Sequence, residues 1–103
     1  MSRKFFLTKK MANNYLVKYF LLEEKSRENN ISLYGIELEL YQVDKKFKTR
    51  ESIRKITNSK QIILHMIKIM AQKNVTPVSL LYVVDEIFDM ASKKFNLNHV
   101  KFY

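Results

Sequence analysis

"ISLYGIELELYQV", residues 31–43, decides the fold. Tyr34, Ile36, Leu38 and Leu40 fall on one side of an extended chain, and Gly35, Glu37 and Glu39 on the other. A period of two is the mark of a strand with one face buried. Upstream, "YLVKYFLLE" (15–23) is rich in aromatic and branched residues and too short for an independent helix, so it reads as a second strand. The polar stretch "EKSRENN" (24–30) connects the two. Asn13-Asn14 can turn the chain, because Asn tolerates positive φ, and this would pair "KFFLTKK" (4–10) with the strand that follows. Downstream, "DKK" (44–46) reads as another hairpin turn, with "FKTRESIRKI" (47–56) returning along the sheet, a short helix being the alternative for that segment. A small antiparallel sheet of two to four strands follows.

The second half is helical. Asn58 or Ser59 caps a helix that runs to about Lys73, with Ile62, Met66, Ile69 and Met70 as its core stripe. Asn74 closes it in the left-handed conformation. Thr76 then caps a second helix with Pro77 at its first position. Its buried stripe is expected to be Leu80, Leu81, Val84, Ile87, Phe88 and Ala91. The Met residues at 66, 70 and 90 fit a helix core, and the tail "NLNHVKFY" (96–103) reads as a short strand or arm. The whole is a single α+β domain over 1–103, with a basic hairpin and two main helices that read as winged helix-turn-helix-like.

Composition narrows the chemistry. The 103 residues carry 47% hydrophobic and 13% aromatic side chains, enough for one folded domain with a modest core. With no Cys there is no disulfide, thiol nucleophile or Cys-based zinc site. One Gly leaves no room for a glycine-rich phosphate loop. The most apolar run, "IILHMIKIMA" (62–71), is too short to span a membrane and is broken by His65 and Lys68. The N-terminus lacks a signal-peptide core. The chain therefore reads as mature, cytoplasmic and without a membrane partner. His65 and His99 are far apart in sequence, and His65 reads as structural. Glu37 and Glu39 share a strand face, which reads as solvated or in contact with Lys on a neighbouring strand. Asp85 and Asp89 lie one helical turn apart with nothing to recruit a metal. No catalytic constellation emerges, so no enzyme activity, cofactor or metal is expected.

Charge points toward a partner. The formal net charge is +9. Residues 1–22 hold Arg3, Lys4, Lys9, Lys10 and Lys18 without an acid. Residues 45–60 hold Lys45, Lys46, Lys48, Arg50, Arg54, Lys55 and Lys60 against Glu51 alone. The second helix is acidic, with Asp85, Glu86 and Asp89. Such polarity favours a polyanion. In a major groove the acidic second helix would repel phosphates, so reading falls to other elements. The hairpin "YQVDKKFKTRESIRK" (41–55) interleaves its bases with Tyr41 and Phe47, as a wing would. The helix start "NSKQ" (58–61) adds free backbone N–H groups and the side chains of Asn58, Ser59, Lys60 and Gln61. Asn58, Gln61, Arg50 and Arg54 are the candidates for groove contacts. The expected DNA-binding set is Arg3, Lys4, Lys9, Lys10, Lys45, Lys46, Lys48, Arg50, Arg54, Lys55, Asn58, Ser59, Lys60 and Gln61.

The "YGIEL" strand (34–38), the basic hairpin, "VTPVSLLYVVDEIFD" (75–89) and a short tail resemble a group of small proteins from low-GC Gram-positive bacteria. These are the TcpK-like winged helix-turn-helix accessory proteins of conjugative plasmid relaxosomes. The resemblance covers nearly the whole chain, and its motifs are structural rather than catalytic. It implies binding to repeats near an origin of transfer, assistance to a relaxase without DNA cutting, and DNA contact through wing and body. No single residue is carried over from it. On this basis the expected partner is double-stranded DNA, bound by a homodimer, with a relaxase as a candidate second partner. The competing reading is an antitoxin- or inhibitor-like protein-interaction module with a basic face.

Overall fold

A computed structural model describes residues 1–44 and 46–95. Lys45, and the tail 96–103 with His99, lie outside the described residues. The order is β1 (Ser2–Lys10), β2 (Tyr15–Lys25), β3 (Ser32–Gln42), β4 (Phe47–Thr57), α1 (Lys60–Gln72) and α2 (Leu80–Phe95). The strands form one antiparallel sheet in the order β1-β2-β3-β4. Each strand pairs with its sequence neighbour, so every strand connection is local.

Asparagines set the turns. Asn13 (φ 61°) and Asn14 (φ 62°) both occupy the left-handed region between Ala12 and Tyr15. This is the type I′ pattern, whose twist matches that of the flanking strands. Asn30 (φ 57°) ends the β2–β3 loop, where Ser26 N–H donates to the Ile31 carbonyl at 2.8 Å. That loop is shorter than expected, because β2 runs on to Lys25. At the β3–β4 turn the Asp44 carboxylate accepts from Lys46 N–H at 3.1 Å. Val43 N–H donates to the Asn14 carbonyl at 2.7 Å, tying this turn to the β1–β2 turn.

The sheet is irregular at three places, one in the β1–β2 pairing and two in the β3–β4 pairing. The register slips between Phe5 and Leu7, near Phe47, and again where β4 passes Gly35. At the last of these Lys55 has φ 55°. A methyl group at Gly35 would collide with the Ile53 carbonyl oxygen and lie 2.9 Å from the Arg54 Cα. The single glycine therefore allows the β4 bulge to press onto β3.

One sheet face carries the core. Val17, Tyr19 and Leu21 of β2 and Ile36 and Leu38 of β3 are buried with Ile56, against Ile62, Ile63, Met66, Ile67 and Met70 of α1. The Tyr19 hydroxyl donates to the Val75 carbonyl at 2.7 Å, fixing the α1–α2 connection to the sheet. Burial pushes the Tyr19 phenol well above its ordinary pKa, so it stays a donor. Helix α1 is capped as the sequence suggests. The Ser59 hydroxyl accepts from Ile62 N–H, and Asn74 (φ 56°) closes the helix, with Val75 N–H donating to the Met70 carbonyl.

Helix α2 departs from expectation in two ways. Thr76 and Pro77 do not begin it. Ser79 N–H donates to Thr76, Leu80 N–H to Pro77 and Tyr82 N–H to Ser79, so the chain winds in three-residue steps and the α-helix starts at Leu80. The Ser79 hydroxyl, not Thr76, accepts at this end, from Thr76 N–H. Second, the buried stripe is Leu80, Val84, Ile87 and Ala91, while Leu81 is 61% exposed and Met90 40% exposed. Steps of four, three and four keep one narrow line against α1, and Leu81 is rotated about 100° off it.

The α+β class is as expected. The topology does not establish the winged helix-turn-helix arrangement, since the hairpin over 41–55 is half of a continuous four-stranded sheet rather than a separate ribbon beside the helices.

Candidate nucleic-acid interface

The second sheet face is free of helix, because both helices join the core on the other side. Alternation puts Arg3 and Phe5 of β1, Lys18 and Phe20 of β2, Glu37, Glu39 and Tyr41 of β3, and Arg50 and Ser52 of β4 on it. Its centre is an ionic network. Glu39 is 2% exposed and Glu37 8%. Arg3 reaches across β2, over the Phe20 ring at 4.1 Å, to donate to both carboxylates. Arg50 donates from Nε to Glu39 at 2.8 Å and from Nη2 at 2.6 Å. Tyr41 donates to Glu39 at 2.9 Å, and Ser52 to Glu37 at 2.7 Å.

Burial alone would push the Glu39 carboxyl up. Hydrogen bonds from Arg50, Tyr41 and Arg3 outweigh that and hold it below the usual carboxylate range. Hydrogen bonds to Glu37 first, and then to Glu39, raise Arg3 above its ordinary value. Glu37 and Glu39 are thus neither solvated nor held by Lys, as the sequence suggested. They are enclosed by arginines, whose fork geometry suits two adjacent carboxylates.

A pH dependence follows. A depressed folded-state pKa contributes stability above the unfolded value of about 4.3, and that contribution is lost as pH falls through the folded value. Urea midpoints should therefore drop between about pH 5 and pH 3. Glu39→Gln should cost about 2 kcal/mol at pH 7, the scale of hydrogen bonds to charged groups, and flatten that acid limb. An unchanged limb would mean that other carboxylates govern it.

The expected DNA-binding residues fall into three places. Lys9 and Lys10 end β1, Lys46 immediately precedes β4, and Lys48 is its second residue. Antiparallel pairing and the Val43–Asn14 bond bring these to one end of the sheet, beside a single acid, Asp44. Three strand spacings of about 4.8 Å separate the two edges, roughly 14 Å in all. The α1–α2 connection lies at this end too, since Asn74 and Thr76 line a hollow with Lys10, Met11, Tyr15 and Leu40. That brings exposed Lys73 to the same end.

Lys4, Asn58, Ser59, Lys60 and Gln61 sit at the opposite end, where Lys4 and Lys60 share a hollow with Phe6 and Leu64. Eleven-residue strands put roughly 35 Å between the two ends. Ser59 there is engaged as the helix cap. The third group is the arginines. Arg3 and Arg50 are held in the network, and Arg54 makes a two-pronged pair with Glu24, beside Lys55 in a shallow hollow. This pairing holds the Glu24 carboxyl below its ordinary range. The arginine forks that the sequence offers for base reading are therefore turned toward the protein's own carboxylates.

Lys18 and Lys73 were not among the expected contacts. Lys18 was legible, because it shares the parity of Phe20 on β2. Lys73 was not, because only the tertiary packing brings the interhelix loop to the turns. His65, on α1, is shifted below its ordinary value by partial burial and then by Lys94 and Lys68, consistent with a structural place. Among the described residues no three His, Cys, Asp or Glu side chains group as a metal site requires. Nor is any described helix long and apolar enough to cross a membrane.

Residues 3–90 match the model of a family described as "Family of unknown function (DUF6514)". The chain belongs to that family. The match runs from β1 into the last turns of α2, so the family is defined by this sheet and helix pair. No curated protein and no solved structure matches the chain. The family's description states no function, and nothing in these comparisons bears on the resemblance to relaxosome accessory proteins.

Proposed function

We propose that the protein is a non-enzymatic double-stranded DNA-binding protein that grips the duplex with the turn end of its sheet. The observation that carries this reading is the convergence of Lys9 and Lys10 with Lys46 and Lys48, from segments more than thirty residues apart in sequence, at one end of the sheet, with Lys73 beside them. Both sheet edges there are basic and about 14 Å apart, close to the ~12 Å width of a B-DNA major groove. Lysines on the two edges can therefore reach phosphates on both sides of one groove. Lysine makes point-charge contacts, which fix position and affinity rather than sequence. Preference for a site would come from Asn58 and Gln61, or from Arg50 and Arg54 once they leave their carboxylates. The service that the sequence resemblance suggests, at repeats near an origin of transfer beside a relaxase, belongs to the same proposal, as do the homodimer and the cytoplasmic setting.

Duplex affinity should fall with salt, with a log–log slope of roughly −4 to −7 for several phosphate contacts. Fluorescence anisotropy over a salt series measures it. A slope near zero would remove the duplex reading. It would favour the protein-interaction module, which has its own support in the exposed Val78, Leu81 and Tyr82 along the acidic outer side of the α2 region.

A further inference from the structure

The helix-free sheet face carries more than the ionic network. Phe5 on one edge strand is 54% exposed, and Phe47 on the other is 49% exposed. Each makes an edge-on contact with a ring on the neighbouring strand: Phe5 with Phe20 at 5.9 Å, and Phe47 with Tyr41 at 5.6 Å. Each ring pair has a cation on it. Arg3 lies over Phe20, Arg50 over Phe47 at 5.2 Å, and Lys18 over Tyr41 at 4.7 Å. Between the pairs, Thr8, Leu16, Lys18 and Tyr41 line a hollow of about 400 Å³. The two acids at the centre of the face are buried and bound by arginines, so neither presents free negative charge.

We propose that this face binds single-stranded nucleic acid, stacking unpaired bases on Phe47 and Phe5 while Lys18, Arg3 and Arg50 meet the phosphates. Three features favour that occupant. Half-exposed rings on a hydrogen-bonded sheet form a stacking platform, because every base has a π-face and a duplex presents none along its side. Lys18, resting on Tyr41, is within a side-chain swing of the backbone of a strand laid there, and Arg3 and Arg50 are about half-exposed where they are held. And the buried carboxylates hold Arg3 and Arg50 in place without repelling a polyanion. The Phe5 end of this surface lies away from the turn end that would hold a duplex, while Phe47 borders that end between Lys46 and Lys48, and the stacking does not depend on the duplex reading.

The chain has no tryptophan, so Phe47→Trp installs one reporter on the face. Titration of the full chain with a twelve-nucleotide oligo-dT strand should quench that tryptophan and leave affinity near that of the parent. Phe47→Ser and Phe5→Ser, both surface changes, should each weaken oligo-dT binding about tenfold, the scale of one lost stack. Duplex binding should change less than twofold in Phe5→Ser, which lies away from the turn end. Thr8→Glu, which places a charge beside the hollow without removing a ring, should weaken oligo-dT binding as well. Circular dichroism on each variant tracks the fold. The proposal is overturned if oligo-dT does not bind at low salt, if the tryptophan is not quenched, or if the serine variants bind oligo-dT as the parent does. It is overturned equally if single-strand and duplex affinities fall together in Phe5→Ser, since one shared surface would then explain both. Loss of duplex binding alone, with quenching retained, removes the turn-end reading and leaves this one standing.

Discussion

Replacing Lys9, Lys10, Lys46 and Lys48 together with Ala is expected to weaken duplex DNA binding about 100-fold or more near physiological salt, and to reduce the log–log salt slope by about three to four. The four are partly or fully exposed and have no ion pair among the described residues. They contribute charge to solvent rather than contacts to the fold, so circular dichroism and the urea midpoint should hardly move. The comparison that gives the experiment its meaning is Lys4→Ala with Lys60→Ala and Gln61→Ala, roughly 35 Å away at the helix-start end. If that triple variant loses binding and the turn-end quadruple does not, the duplex lies against the start of α1 and the proposal has the wrong end. Asp85→Ala with Asp89→Ala should leave affinity unchanged or slightly raised, because an acidic side of α2 can only repel phosphate.

The second large effect is on stability. Gly35→Ala should cost about 3 kcal/mol or more, at the upper end of overpacking costs. The added methyl meets the Ile53 carbonyl and the Arg54 Cα, both backbone atoms that no rotamer change can move aside. Relief requires the β4 bulge at Lys55 to lift away from β3. That same stretch of β4 carries Arg50 and Ser52 into the ionic network, so the loss should spread to the Glu37 and Glu39 contacts. Urea denaturation measures the drop, and amide exchange should locate it on β4 and the facing part of β3. A domain of this size has only about 5–15 kcal/mol of net stability, so the change is a large share of it. Unaltered stability in Gly35→Ala would show that β4 does not press onto β3 at this point.

How much of this was legible beforehand follows from the range of each interaction. The period-two alternation of β3, the Asn13-Asn14 turn, the Ser59 cap and the left-handed Asn74 are decided by a residue and its near neighbours. The sequence alone therefore determined a local antiparallel sheet of two to four strands, two helices and the α+β class, and the structure makes the strands four. It also determined that Glu37 and Glu39 share a face, because parity along a strand is a local property.

Whatever depends on two distant segments was decided only in three dimensions. The alternation says that two carboxylates point the same way, but not that Arg3, more than thirty residues earlier in the chain, reaches across β2 to enclose them. Charge counting saw two basic blocks. Strand pairing split each block, sending Lys9, Lys10, Lys46 and Lys48 to one end of the sheet and Lys4 and Lys60 to the other. It also turned Arg50 and Arg54 toward acids that net charge treats as simple subtraction. Leu81 was assigned to the core because it is apolar and close to the stripe, yet its burial depends on where α1 lies, and α1 packs one residue's rotation away. Local periodicity fixes which residues share a face. Only the packing of the elements fixes what that face meets.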